Sequence, residues 1–192
     1  MFLADRLLES LLANQRRICA RANARASFQD LYRVDDKTIE KTIEILNGDK
    51  YYKLILRIAA LFHDIGHGPL SHLFDEFFPT PVWIASLPEE VGYKHINERV
   101  RSISNQDHPI RHEIMSCAVA TSTLLQCREA IESYHIDIHK LIADVCAIID
   151  EKVKPSPYLE SAPYGLQKLL HDVLSSDLDV DRMDYLLRYS HM

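Results

Sequence analysis

Residues Leu54 to Phe62 read LILRIAALF, a run that is apolar on nearly every side of a helix and interrupted only by Arg57. A helix with no polar face has to be buried, so this run predicts a core helix from about 49 to 64 at the centre of the fold. It leads directly into His63-Asp64-Ile65-Gly66-His67-Gly68-Pro69-Leu70-Ser71-His72-Leu73-Phe74-Asp75. Adjacent helical residues point roughly 100° apart. His63 and Asp64 can therefore converge on one ion only near a helix end, and Gly66 and Gly68 supply that end. Imidazole nitrogen and carboxylate oxygen are ligands that zinc, iron and manganese accept, which makes the pair a candidate metal corner.

The remainder of the chain repeats the helical period. Leu3, Leu7, Leu8, Leu11, Leu12 and Ile18 form one stripe of an amphipathic helix over residues 2–22. Asp35-Asp36 can cap a helix carrying Ile39, Ile43 and Leu46, closed by Asn47-Gly48. A helical turn is expected at 71–77, then an irregular excursion over 78–94 with Pro79, Pro81, Pro88 and Gly92. Helices at 96–103, 110–132 and 137–151 follow, and a loop from Lys154-Pro155-Ser156-Pro157 to Gly165. A helix over 165–174 and a closing helix capped at Ser175-Ser176-Asp177 complete the pattern. With only five glycines in 192 residues and no convincing strand, the expected fold is an all-α helical bundle, one domain over 1–192. The first helix has no start signal and the sequence stops inside a helical pattern at Leu186 to Met192. Both ends therefore read as truncations of a longer domain.

A net charge of −6 argues against a surface that grips nucleic acid through its phosphates, which needs a basic face. A nucleotide substrate stays open, because a metal ion and a few local cations can neutralise its phosphates. Cys19, Cys117, Cys127 and Cys146 lack C-x-x-C spacing and read as thiols of a reducing cytoplasm. The run Leu54–Phe62 is too short to span a bilayer, and Asp5 and Arg6 interrupt the N-terminus before any signal-peptide core could form.

A lone His-Asp pair carries little information: His171-Asp172 is a second one, with no glycine after it and no flanking histidine. The spaced set His63, Asp64, Gly66, His67, Gly68, Pro69, Ser71, His72, Asp75 resembles the motif of the HD-domain phosphohydrolases, in the form used by deoxynucleoside triphosphate triphosphohydrolases. Near the far end, Asp177-Leu178-Asp179-Val180-Asp181-Arg182-Met183-Asp184-Tyr185 is similar to the D-x-D-[RK]-x-D-Y segment of the same enzymes. By itself that segment would be helix-start chemistry, with acids at the positive end of the dipole.

The resemblance implies an HD-domain helical bundle with a divalent metal (Mn, Fe, Zn or Ni, with Mg accompanying substrate) on His63, Asp64 and Asp181. It implies His72 as proton donor to a departing 5′-oxygen, supported by Asp75 and by His112, which opens the helix from 110. His67 would point at the phosphates. Arg182, always charged and able to donate two parallel bonds, would hold phosphate, and Tyr185 would face phosphate or sugar. Relatives of this kind are commonly homo-oligomeric, which is the expected state here. Two departures stand out. Tyr189 takes a place where many relatives have an Asp directed at the sugar 3′-hydroxyl. No histidine occurs in residues 1–62, where relatives keep a first metal ligand.

Three readings follow. The leading one is a hydrolase releasing deoxynucleoside and tripolyphosphate from deoxynucleoside triphosphates. A second keeps the metal and changes the ester to a nucleoside monophosphate or cyclic dinucleotide. A third is a catalytically inactive helical scaffold. His135 and His139, four apart, could bind a metal on one helix face, but an exposed helix surface explains them better. Tyr51-Tyr52, Trp83 and Tyr93 read as packing or loop anchors.

Overall fold

In the computed structural model, residues 6–10, 41–42, 44–46, 48–68, 94–103, 111–163 and 165–175 are described. They are helical, with no strand among them: α1 (Lys50–Phe62), α2 (Lys94–Ile103), α3 (His112–Gln126), α4 (Arg128–Glu132), α5 (Ile138–Ile149), α6 (Pro157–Glu160) and α7 (Leu166–Leu174). Helical backbone is also present at 6–10, 41–42 and 44–46. The all-α expectation holds. Among the described residues no helix is long and apolar enough to cross a membrane.

The hub of the bundle is α5, not the helix expected at the centre. Ten of its twelve residues are buried, and it packs on α1, α3 and α7. The sequence of α5, IHKLIADVCAII, has its basic residues His139 and Lys140 in the first turn, so its last two turns can be covered on every side. By contrast α1 buries one face (Tyr52, Ile55, Leu56, Ala59, Phe62) and leaves Leu61 66% exposed. Each fully buried Ile or Leu in these helices contributes roughly 1.5–3 kcal/mol by leaving water. Leu56, Ile55, Leu141, Ile142, Ile148 and Leu170 hold the centre.

Helix ends follow local chemistry. Asp49 starts α1, its carboxylate accepting from Tyr51 N–H at 2.8 Å. Asp137 starts α5 by accepting from the N–H groups of His139 and Lys140. The single helix expected over 110–132 is two. At Cys127 (φ −92°, ψ 8°) the N–H is shared between the Thr123 and Leu124 carbonyls, and α4 follows with no buried residue. A helical turn also interrupts the loop expected from 154 to 165. Ser156 accepts from Leu159 N–H, and Pro157 occupies the first helical position, where its missing N–H costs nothing. Gly165 enters α7 in the left-handed region (φ 87°), open to glycine.

Polar residues at the start of α1 are tied to the bundle by a closed network. Asp144, fully buried on α5, accepts from Tyr51 Oη at 2.8 Å, Ser156 N–H at 2.8 Å and Ser156 Oγ at 2.9 Å. Tyr158 donates to Asp49 and stacks on Tyr52, and Lys140 Nζ lies 4.0 Å from the Tyr51 ring centre and 3.4 Å from that of Tyr158. Burial pushes the Tyr51 phenol well up, with the Asp144 charge and hydrogen bond adding to it. Tyr51-Tyr52 are thus packing anchors, as expected.

Candidate metal centre

The last turn of α1 ends at Phe62. His63 takes the C-cap position with helical angles, and residues 63–66 continue as a turn. Its N–H still reaches the Ala59 carbonyl, while Ile65 N–H bonds to Phe62 and His67 N–H to Asp64. This tight descent sets Asp64 and His67 against the start of α3. His63 Nε2 lies 3.3 Å from Asp64 Oδ2, and His67 Nε2 lies 3.7 Å from Asp64 Oδ1. The ring of His67 is stacked on that of His112, the first residue of α3, with centres 3.7 Å apart and planes 18° from parallel.

His63 carries the clearest chemical signature. Its Nδ1 is 3.0 Å from the Ala60 carbonyl, which can only accept, so Nδ1 bears the proton. In the neutral ring Nε2 then holds a lone pair. That atom is buried and has no hydrogen-bond partner among the described residues. A buried imidazole nitrogen with its tautomer fixed from behind is the form in which histidines serve as metal ligands. Asp64, 44% exposed in its side chain, is close enough to contribute to the same ion. The donor set therefore fits a divalent metal.

Ligand atoms of Asp64, His67 and His112 also lie within 4.8 Å of one another. Imidazole lone pairs lie in the ring plane, so those of the two stacked rings lie in separate, nearly parallel planes. Glu113 adds a second carboxylate, its Oε2 3.6 Å from His112 Nδ1 and without a hydrogen-bond partner among the described residues.

Of the residues singled out in the sequence, the structure brings Asp64, His67 and His112 together and sets His63 against Asp64. His72, Asp75, Asp181, Arg182, Tyr185 and Tyr189 lie outside the described residues. Gly66 serves differently from expected, because the helix has ended four residues before it. A Cβ there would collide with the His112 carbonyl and the Ser116 N–H, so glycine is what lets the turn lie against α3. Ser116, which the sequence did not flag, is fully buried and bonded to this turn at two points. Its placement one helical turn after His112 was the available signal.

The other histidine pairs have ordinary surroundings. His171 Nδ1 sits 2.8 Å from the Ile148 carbonyl, and Asp172 pairs with Lys168 at 3.2 Å. His135 is not helical; it occupies a left-handed turn position (φ 59°) between α4 and α5, so it shares no helix face with His139. His139 Nε2 instead meets Arg128 at 3.0 Å.

An all-α bundle that delivers a His-Asp pair from a helix end onto the histidine of a neighbouring helix defines a class, and sequence relatives name it. The chain is 33% identical over 145 residues to the MG461 homolog of Mycoplasma pneumoniae, covering 74% of this chain and 25% of that protein. It is 31% identical over 145 residues to the deoxynucleoside triphosphate triphosphohydrolase SAMHD1 of Gallus gallus, covering 72% of this chain and 20% of that one. An HD domain-containing protein of Acanthamoeba polyphaga mimivirus is 30% identical over 143 residues, covering 70% and 22%. The chain belongs to the HD-domain family. It spans about a quarter of the length of the curated relatives it matches. No family model matches the chain, and no solved structure matches it.

Proposed function

We propose that this chain is the metal-binding part of a phosphohydrolase that converts deoxynucleoside triphosphates to deoxynucleoside and tripolyphosphate. The observation that carries the proposal is the buried Nε2 of His63, 3.3 Å from Asp64 Oδ2 and with no hydrogen-bond partner among the described residues, next to the cluster of Asp64, His67 and His112. Similarity to deoxynucleoside triphosphate triphosphohydrolases supports the choice of substrate.

In this reading His63, Asp64 and Asp181 hold a divalent ion such as Mn, Fe, Zn or Ni. Such an ion supplies an activated water and polarises the phosphate under attack. The chain's own groups do the rest. His67, held against His112, donates a hydrogen bond to a phosphate oxygen. His72, oriented by Asp75, gives its proton to the departing 5′-oxygen. Arg182 grips phosphate oxygens with two parallel bonds, and Tyr185 closes on phosphate or sugar. Most of the rate gain comes from charge placed in advance where it develops. The enzyme is a homo-oligomer and cytoplasmic.

The test is incubation with each deoxynucleoside triphosphate and Mn²⁺ or Mg²⁺, followed by identification of the phosphate product. Tripolyphosphate is expected, and Asp181→Ala should abolish its release. Orthophosphate from other esters, such as nucleoside monophosphates, would point instead to a different substrate on the same metal site. No turnover at all would leave the chain a scaffold.

A further inference from the structure

Among the described residues Ser116 is the one side chain that bonds to both ends of the turn carrying the metal-site residues. Its Oγ donates to the His63 carbonyl at 2.6 Å and accepts from the Gly66 N–H at 2.9 Å, across 53 and 50 residues of sequence. The side chain is completely buried, so no water competes for either bond. Ser116 is also four residues beyond His112 on α3 and therefore on the same helix face. The missing Cβ of Gly66 allows this contact, since a methyl group there would strike the His112 carbonyl and the Ser116 N–H.

From this geometry we infer that Ser116 is a positioning residue: it clamps the His63–Gly66 turn to the first turns of α3. The clamp thereby fixes how far His63, Asp64 and His67 stand from His112. Nothing else among the described hydrogen bonds joins the 63–66 turn to α3. The hydroxyl touches neither ion nor phosphate. It holds backbone at two points, and the side chains on that backbone inherit the register. Without it Gly66 N–H would be left buried without its acceptor, and the turn would be free to shift by the few tenths of an ångström that ligand geometry does not tolerate. The inference deepens the proposed metal site and rests on that reading only for the part that concerns ion affinity.

The experiment compares the wild-type chain with Ser116→Ala, Ser116→Cys and Thr121→Ala. Thr121 is buried on the same helix with its hydroxyl on Cys146 Sγ, so its loss weakens α3 packing without touching the turn. Two readouts are taken: Co²⁺ affinity from visible absorption, and the imidazole NMR signals of His63, His67 and His112 without metal. Ser116→Ala should weaken Co²⁺ binding about 10-fold or more, the range seen when outer-sphere partners of ligands are lost. It should also move the His67 and His112 signals as the stack loosens, with Ser116→Cys in between and Thr121→Ala at wild-type values. Should Ser116→Ala fail to fold, Ser116→Cys is read in the same way. Unchanged imidazole signals in the Ser116 variants would overturn the clamp, as would equal changes in Thr121→Ala at an equal loss of melting temperature. If the wild-type chain binds no Co²⁺, the metal reading fails by itself, and the imidazole signals still decide the role of Ser116.

Discussion

The two ends of α1 bury polar groups in opposite ways. At the start, Asp49, Tyr51 and Tyr52 enter a network in which the fully buried Asp144 carboxylate accepts three hydrogen bonds. At the finish, His63 Nε2 and, across the gap, Glu113 Oε2 are buried with no hydrogen-bond partner among the described residues. A saturated network needs nothing further and serves the fold. Buried polar atoms left open are costly, on the order of 1–3 kcal/mol each. One end of α1 is thus closed within the fold, and the other leaves polar atoms open at the residues proposed to hold a metal.

Four substitutions sharpen or break that contrast. The largest effect belongs to Asp64→Ala: triphosphate release should fall to background while thermal melting barely moves, because the side chain is nearly half exposed. Residual activity near wild type would remove Asp64 from the site. At the other end Asp144→Ala strips the acceptor from three donors and should cost about 3 kcal/mol or more in urea unfolding. A loss below 1 kcal/mol would mean that the network is not what holds this corner.

Gly66→Ala comes next, at about 1–3 kcal/mol for forcing a methyl group into closely packed backbone. The same variant should weaken metal binding, measured by titration with Mn²⁺. Tyr51→Phe has the smallest effect, about 1 kcal/mol at neutral pH. Its alkaline behaviour is the more telling readout. Burial raises the Tyr51 pKa in the folded chain, so folding favours the protonated phenol. That contribution is complete below the unfolded tyrosine value of about 10 and is lost as pH rises beyond it. Stability of the wild type should therefore fall above about pH 10 more steeply than that of Tyr51→Phe. Parallel curves would show that Tyr51 is not the group responsible.

Much of this was legible in the sequence, for reasons that also explain what was not. The run Leu54–Phe62 and the helical period over 137–151 are local signals, and they gave helix positions to within a few residues. The glycine-spaced histidines marked one corner because ligand chemistry demands particular residue types close together. Centrality was misread: an apolar run shows that a helix is buried but not which neighbours surround it, and the more completely covered helix is α5. Cys127 carries no breaker chemistry, so the split between α3 and α4 left no local trace. Asp144 lies inside an apolar run, and its partners Tyr51 and Ser156 are distant in sequence or across a loop, so no local signal marks the network. The pairing of His67 with His112, and the part played by Ser116, depend on how α3 packs against the turn, which residue spacing alone does not encode.

The central claim is that the finish of α1 is built to hold a metal ion through His63. Calorimetric titration of Mn²⁺ into the wild-type chain and into His63→Gln tests it most directly, because glutamine keeps polarity and bulk while removing the imidazole lone pair. One ion per chain should bind to the wild type, with the signal lost in His63→Gln and the melting temperature of the metal-free proteins nearly the same. Equal Mn²⁺ binding by both proteins would contradict the account.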